Sequence, residues 1–558
     1  MPNQQNDQRD LWQVLWQLFL DFVNASANAA NPANPAHANA SASAKALMEQ
    51  TAATLRALDD NALMQFVNSS KVDNRMHAAV CVTAAMTQLL PDRPGVYFAA
   101  GLACQLAGNH EAAIPFYRQA GRLNARYPNL RNNLAVALAF DDPMNAESAA
   151  LLNAEVAENP QSRQAWTNLA RLRPTDLDLK RLIHANERAL ELGPHDPPTL
   201  NNYSMMLKER QHWEEATHMA QEACKYSDPS DAVSRFNLSL LQLVQGDFAN
   251  GWVGHELRWL GARELKSGRP KFQKPEWRNE PIAGRTLLVW GEQGMGDLMQ
   301  FSRYIPLLAE RVHREGGQLV WNSFPQMGNL LVRSFHGHYD LFSVGGPVDR
   351  LPPYDIEISL LSLPLLFNTR VETIPGPTGY LSPDPVMAAS WRQRLSGERR
   401  LKVGLTWTGN LSHQRNPFRR VGLDAFARHF AGLGKDVAFY SLQPGMNADV
   451  EAVRKTGFEM ADFSAEWKTF DDTAAFVSEL DLVISVCTSA AHLVGALGKR
   501  AWVLLDVNPH WVWMLNRRDS PWYPNTTLYR QKEFRQWEPV LEEVAADLTA
   551  LAKEHKAQ

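Results

Sequence analysis

Residues 291–297, GEQGMGD, place three glycines and an acid directly after four apolar residues, Leu287 to Trp290. Strand, glycine turn and helix is a common way of presenting a phosphate-bearing ligand, but this spacing is neither a dinucleotide fingerprint nor a P-loop. Gly294 and Gly296 let the backbone turn sharply and come close to a ligand. Asp297 stands where a phosphate loop would prefer a basic residue, and taken alone it suits the cap of its own helix.

A stronger anion site lies in VCTSAAHLVGALGK, residues 486–499. Thr488, Ser489 and Ala490 open a helix there, so free backbone N–H groups and two hydroxyls converge in a way that suits a pyrophosphate. Arg415, Arg419 and Arg420, in WTGNLSHQRNPFRR (407–420), can supply counter-charge. The plainer readings are an ordinary cap for Thr488 or Ser489 and solvated charge for each arginine. SLQPG (441–445), which carries Gln443, and DVNPHWVW (506–513) also follow strands and can face the same cleft.

The elements that must position these residues are strands and helices in alternation. TLLVW (286–290), QLVW, DLFSV and DIEISL read as one set of short buried strands; KVGLTWTGN (402–410), VAFYSLQ, LDLVISV and RAWVLLD read as a second. DLMQFSRYIPLLAERV reads as one helix with Leu298, Phe301, Ile305, Leu308 and Val312 on one side. Two successive sets of strand–helix units imply two doubly wound sheets, with ligands beyond the carboxyl ends of the strands. The second set ends near Asp506, and the C-terminal tail reads as helical.

Before these sheets the pattern is different. From about residue 94 a tetratricopeptide-like repeat places large and small residues at fixed points: Tyr97, Gly101, Ala113, Tyr117 and Ala120 in one copy; Trp166, Leu169, Ala170, Ala189 and Pro194 in another; Tyr203, Leu207, Ala216 and Ala223 in a third. Each unit buries its apolar face only by stacking on its neighbour, which predicts a superhelix with a concave groove. Asn133, Asn168, Asn202 and Asn237 recur at intervals of 35, 34 and 35 residues, on the first helix of each pair. An amide both donates and accepts, so this ladder can grip the backbone of an extended peptide; equally, Asn can be a structural residue of the repeat.

The chain has 558 residues and a net charge of −4, too long for one core and without the basic excess of a nucleic-acid binder. Cys81, Cys104, Cys224 and Cys487 are scattered, with no metal spacing, which predicts free thiols and a cytoplasmic setting. The N-terminus lacks a signal peptide's cationic start, and no apolar run reaches the roughly 20 residues that span a bilayer. DLWQVLWQLFLDFV predicts an amphipathic helix, docked on its own chain or serving self-association or a membrane surface. The predicted division is an N-terminal helix (1–23), a low-complexity linker (24–46), the repeat array (47–262), a connector (263–284), a first sheet domain (285–396) and a second sheet domain with a C-terminal helix (397–558).

From about Pro275 onward, GEQGMGD with QFSRYIPLL, VGLTWTGN, SLQ, DLVISVCTSAAHLVGALGK and HWVWMLNRRDSPWYP occur in order. In these motifs the chain resembles bacterial glycosyltransferases that carry an N-terminal tetratricopeptide array. They are relatives of the lipopolysaccharide heptosyltransferases and, more distantly, of O-linked N-acetylglucosamine transferase. The resemblance implies an α-solenoid followed by a GT-B pair of Rossmann-like domains, and an inverting hexosyl- or heptosyltransferase that uses a nucleotide sugar without metal or other cofactor. It implies that Asp297 is the catalytic base, that Thr488, Ser489, Ala490 and His492 form the diphosphate-binding helix start, and that Gly409, Asn410 and Arg419 approach the phosphates. With Gly294, Gly296 and Gln443 these make the expected donor site. Cys487 stands where the family commonly has aspartate, and Arg420 where serine is usual. The expected acceptor is a protein held by the asparagine ladder, with flagellin or a surface adhesin as analogies. The alternatives are a glycan or lipid-linked acceptor, and a non-catalytic nucleotide-binding scaffold.

Overall fold

The computed structural model describes residues 55–142, 145–172, 179–262, 267–292 and 294–557, with Leu265 and scattered positions before residue 54. The linker expected over 24–46 lies outside the described residues, as does the N-terminal helix apart from helical positions between 13 and 20. Of these, Leu15 is buried in one apolar cluster with Leu55, Leu63 and Phe66, so that segment docks on its own chain. Contacts divide the chain into two compact units, Met1–Tyr203 and Ser204–Gln558.

The first unit is a stack of helices: α1 (Asp60–Val72), α2 (Met76–Leu89), α3 (Pro94–Leu106), α4 (His110–Leu123), α5 (Leu130–Ala139), α6 (Ala146–Glu158), α7 (Arg163–Arg171), α8 (Leu179–Leu192) and the greater part of α9 (Pro197–Glu209). The starts are written in the sequence. Asp59, Asn109, Asn145 and Ser162 each accept a backbone N–H of the first turn, as good N-cap residues do. Small residues set the helix spacing. A Cβ on Gly101 would lie 2.7 Å from the buried Tyr117 ring, and Ala113 and Ala120 are fully buried beside it.

In the second unit α10 (Trp213–Tyr226), α11 (Ala232–Val244) and α12 (Phe248–His255) continue the helical pattern, and Arg258–Gly261 adds one turn. These helices are counted with the repeat array by sequence, yet Leu243, Val244, Phe248 and Trp252 share a core with the α/β elements that follow.

Two wholly parallel sheets come next. β1 (Thr286–Trp290), β2 (Gln318–Ser323), β3 (Leu341–Val344) and β4 (Ile356–Ser359) are ordered β3-β2-β1-β4. β5 (Leu401–Thr406), β6 (Val437–Ser441), β7 (Met460–Asp462), β8 (Leu482–Val486), β9 (Ala501–Leu505) and β10 (Thr526–Arg530) are ordered β10-β9-β8-β5-β6-β7. Strand order reverses at β1/β4 in the first sheet and at β5/β8 in the second, and a crevice opens at such points. The fold is therefore a tetratricopeptide-like helical region followed by two Rossmann-like sheets. No helix among the described residues is long and apolar enough to cross a membrane.

Three details depart from expectation. The helix expected from 297 to 312 is two: α13 (Met295–Phe301) and α14 (Ile305–Arg314), joined by a tight turn over Ser302–Tyr304. Pro306 explains the break, since its ring clashes with the carbonyl four residues back and it has no N–H to give. All five apolar positions remain buried. The second sheet does not end near Asp506, because β10 pairs with β9 from Thr526 to Arg530. β7 is a further edge strand of three residues, too short to leave a pattern. Helical structure resumes with α15 (Glu538–Ala557), whose Val540, Leu541, Val544 and Leu548 join the core on one face of the second sheet.

Candidate active site

β1 and β4 end side by side, with Trp290 opposite Ser359. The loop after β1 buries Glu292, whose carboxylate takes Arg258 Nε at 2.9 Å and Arg258 Nη2, and also accepts from Ser359 Oγ. Arg258 donates further to Glu256 Oε1 at 2.8 Å and to Ser362 Oγ at 3.0 Å. A buried charge is tolerated only when paired in this way. Burial alone would weaken the hold of Arg258 on its proton, but the Glu292 and Glu256 carboxylates outweigh it and push its pKa up.

Asp297 is the third residue of α13. Gly294 precedes that helix at φ +95°, and a Cβ there would lie 2.3 Å from Asp297 Oδ2. Glycine is thus needed twice, for the turn and to leave room for the carboxylate. Gly294, the N-cap residue of α13, offers no side-chain cap, and Asp297 is the acidic residue of the first turn. Asp297 keeps some exposed surface although protein closes round it on most sides. Burial raises its pKa to about 7; the Glu292 charge adds to the rise and Arg258 opposes it. A carboxyl of this kind takes up and releases protons near neutrality.

The second sheet supplies an open helix start. Thr488 caps α16 (Ser489–Ala496), its Oγ1 accepting from Ala490 N at 3.3 Å and lying 3.2 Å from Ser485 Oγ. Thr488, Ser489 and Ala490 are all partly exposed, as an open helix start requires. In the loop after β5, buried Asn416 accepts Gly409 N at 2.8 Å, and the Arg419 guanidinium packs on Gly409, where a Cβ would lie 2.3 Å from Nη2. Gln443 Oε1 accepts Thr408 N at 3.4 Å and so ties the loop after β6 to this one. Asn410 is exposed and turns on itself, its Oδ1 accepting Ser412 N at 3.0 Å.

α13 and α16 meet closely: a Cβ on Gly296 would lie 2.8 Å from His492 Cδ2. His492 is buried, 2.9 Å from the Tyr523 hydroxyl through Nδ1. Burial, then the His510 and Arg303 charges, drop its pKa to about 3, so it is neutral and a poor base. The Cys487 thiol, just before the α16 start, accepts from Trp513 Nε1 at 3.1 Å. Burial pushes its pKa up, Arg419 pulls it down, and Asp506 and Asp297 add to the rise. One thiol thus sits in the field of Asp297 from the first sheet and of Arg419 and Asp506 from the second. The loops after β1, β5, β8 and β9 converge there. His510 lines the same place and is exposed.

Gly294, Gly296, Asp297, Gly409, Arg419, Thr488, Ser489, Ala490 and His492 are therefore gathered on facing loops. Arg415 is held by Glu209 and Asp506, and Arg420 is exposed. The asparagines lie on α5, α7, α9 and α11, each the first helix of its pair, but Asn133 Nδ2 donates to Asn129 O at 2.9 Å and Asn168 Nδ2 to Asn132 Oδ1 at 2.8 Å. Asn202 Nδ2 is buried with no hydrogen-bond partner among the described residues. Glu292, Arg258, His510 and Glu209 went unassigned from sequence. Glu292 lies inside GEQGMGD and His510 inside DVNPHWVW, whereas Arg258 and Glu209 carry no local signal.

No family model matches the chain. Protein FlbA of Caulobacter vibrioides is 26% identical over 453 residues, covering 75% of this chain and 72% of its own. Among solved structures, a glycosyl transferase family 9 protein of Veillonella parvula matches 49% of this chain and 99% of its own (12% identity, TM-score 0.36). E. coli ADP-heptose LPS heptosyltransferase II matches the same shares at 11% identity and TM-score 0.36. YrrB, a tetratricopeptide protein with an unusual peptide-binding site, matches 32% of this chain and 90% of its own (16% identity, TM-score 0.26). Likenesses of this size establish no shared activity.

Proposed function

We propose that the protein is an inverting glycosyltransferase that moves a sugar from a nucleotide sugar to a hydroxyl of a protein acceptor. The observation that carries this reading is the Asp297 carboxyl, partly open, with a pKa of about 7, in the first turn of α13, which faces the capped start of α16. In this reading the donor diphosphate lies at Thr488, Ser489 and Ala490, with Arg419 as counter-charge. The acceptor oxygen attacks the anomeric carbon while its proton passes to Asp297. The bond from that carbon to the phosphate oxygen breaks, and the electron pair leaves with the diphosphate, whose charge the N–H groups and guanidinium stabilise. The transition state is oxocarbenium-like and the configuration inverts. Neutral His492 packs the site and takes no proton. No step calls for a metal.

The protein acceptor is supported by the helical array, a form suited to an extended chain, and by the orphaned amide of Asn202 on its helix. A cytoplasmic setting agrees with four free thiols. The test is a panel of nucleotide sugars incubated with the wild-type chain and with Asp297→Asn. Release of one nucleoside diphosphate by wild type, lost in the variant, is the expected result. Binding without release in wild type would make the chain a scaffold. Labelled sugar appearing on glycan rather than protein would overturn the protein acceptor.

A further inference from the structure

Glu209 ends α9, the first helix of a repeat pair, yet its carboxylate is buried, 6% exposed, among loops of the second sheet. It accepts from Arg415 Nη1 and, at 2.8 Å, from Asn508 Nδ2. Arg415 Nη2 donates onward to Asp506 Oδ2 at 2.7 Å. Arg415 belongs to the loop after β5; Asp506 and Asn508 belong to the loop after β9. One carboxylate on a repeat helix therefore ties together two loops that converge on the α16 start. Without it, Asn508 loses its acceptor and Arg415 keeps only Asp506. A binding site whose loops must first be ordered binds more weakly than one already in place.

We propose that Glu209 is a positioning residue of the donor site: it holds the 407–420 and 506–513 loops in the arrangement that receives the nucleoside diphosphate, so donor affinity depends on the helix that carries it. Asn202 lies seven residues earlier on that helix, about two turns away. The inference rests on the transferase reading above.

The test is calorimetry on the full chain with UDP, GDP, ADP, CDP and dTDP. The tightest of these is then titrated into Glu209→Ala, Glu209→Gln and, as an exposed acidic control, Glu214→Ala, with Tm recorded for each. Glu209→Ala is expected to bind at least fivefold more weakly. Glu209→Gln, which keeps an acceptor but not the charge, should fall between it and wild type, and Glu214→Ala should match wild type. If Glu209→Ala does not fold, the near-isosteric Glu209→Gln decides alone. A lowered Tm with affinity within twofold of wild type would make Glu209 a strut only and overturn the proposal. A wild-type chain that binds none of the five would overturn the transferase reading, and this inference with it.

Discussion

Asp297 carries two predictions that pull in opposite directions. As a base it must be ionised, so kcat/KM should rise about tenfold per pH unit below pH 7 and level off above, following its pKa of about 7. Asp297→Asn should lower transfer by about 100- to 10,000-fold and remove that limb, while nucleoside diphosphate affinity, set on the second sheet, stays within about threefold. For stability the sign reverses. Its folded pKa is raised, so below neutrality the native state keeps a proton that the unfolded chain has lost, and the stability this supplies is gone once pH passes about 7. At pH 8 the amide should therefore be more stable than wild type by about 1–2 kcal/mol, a Tm gain of a few degrees at most. A variant that is both slower and more stable separates a catalytic base from a helix cap.

At the scale of elements, the start of α16 and its contact with α13 decide the site. Changing Thr488 and Ser489 together to valine should weaken nucleoside diphosphate binding by roughly 1–3 kcal/mol, because charged acceptors lose their hydroxyl partners. It should also lower stability by about 1 kcal/mol through the lost cap, so calorimetry must be paired with a melting curve. Unchanged affinity in the folded double variant would move the diphosphate elsewhere. Gly296→Ala tests the helix contact. The new methyl would meet His492, which Tyr523 holds in place, so α13 must shift. Overpacking of this kind costs about 1–3 kcal/mol, and transfer should fall more than donor affinity, because Asp297 moves with α13.

For the whole molecule, the boundary of folding is not the boundary of the repeat. A fragment beginning at Pro197 keeps Leu243, Phe248 and Trp252 in the shared core and Arg258 on Glu292, and should unfold cooperatively. A fragment beginning at residue 263 loses all of them and should fail to give a cooperative melt, because it exposes that core and leaves the buried Glu292 charge unpaired. Asn168, Asn202 and Asn237 changed together to alanine should reduce transfer to a full-length protein acceptor and spare slow hydrolysis of the donor. An equal fall in both would return the asparagines to a structural role, as the in-chain bond from Asn168 to Asn132 already suggests for that position.

The strands at 286–290 and 437–441 were legible because parallel strands covered on both faces are written as unbroken apolar runs. The repeat was legible because each unit must solve the same packing problem with the same small and large residues, as Gly101 and Tyr117 do. The gathering of GEQGMGD and CTSAAH at one cleft followed from their places after strands. What the sequence could not carry is whatever depends on residues far apart in the chain. Glu292 and Arg258 are separated by 34 positions and Glu209 and Arg415 by 206, and nothing periodic links them. β10 and the break at Pro306 depended on which sheet edge was free and on local sterics. The proton affinities of Asp297 and His492 were decided last, by tertiary structure alone: a side chain's type gives its pKa in water, and only the surrounding protein determines how much water and which charges remain beside it.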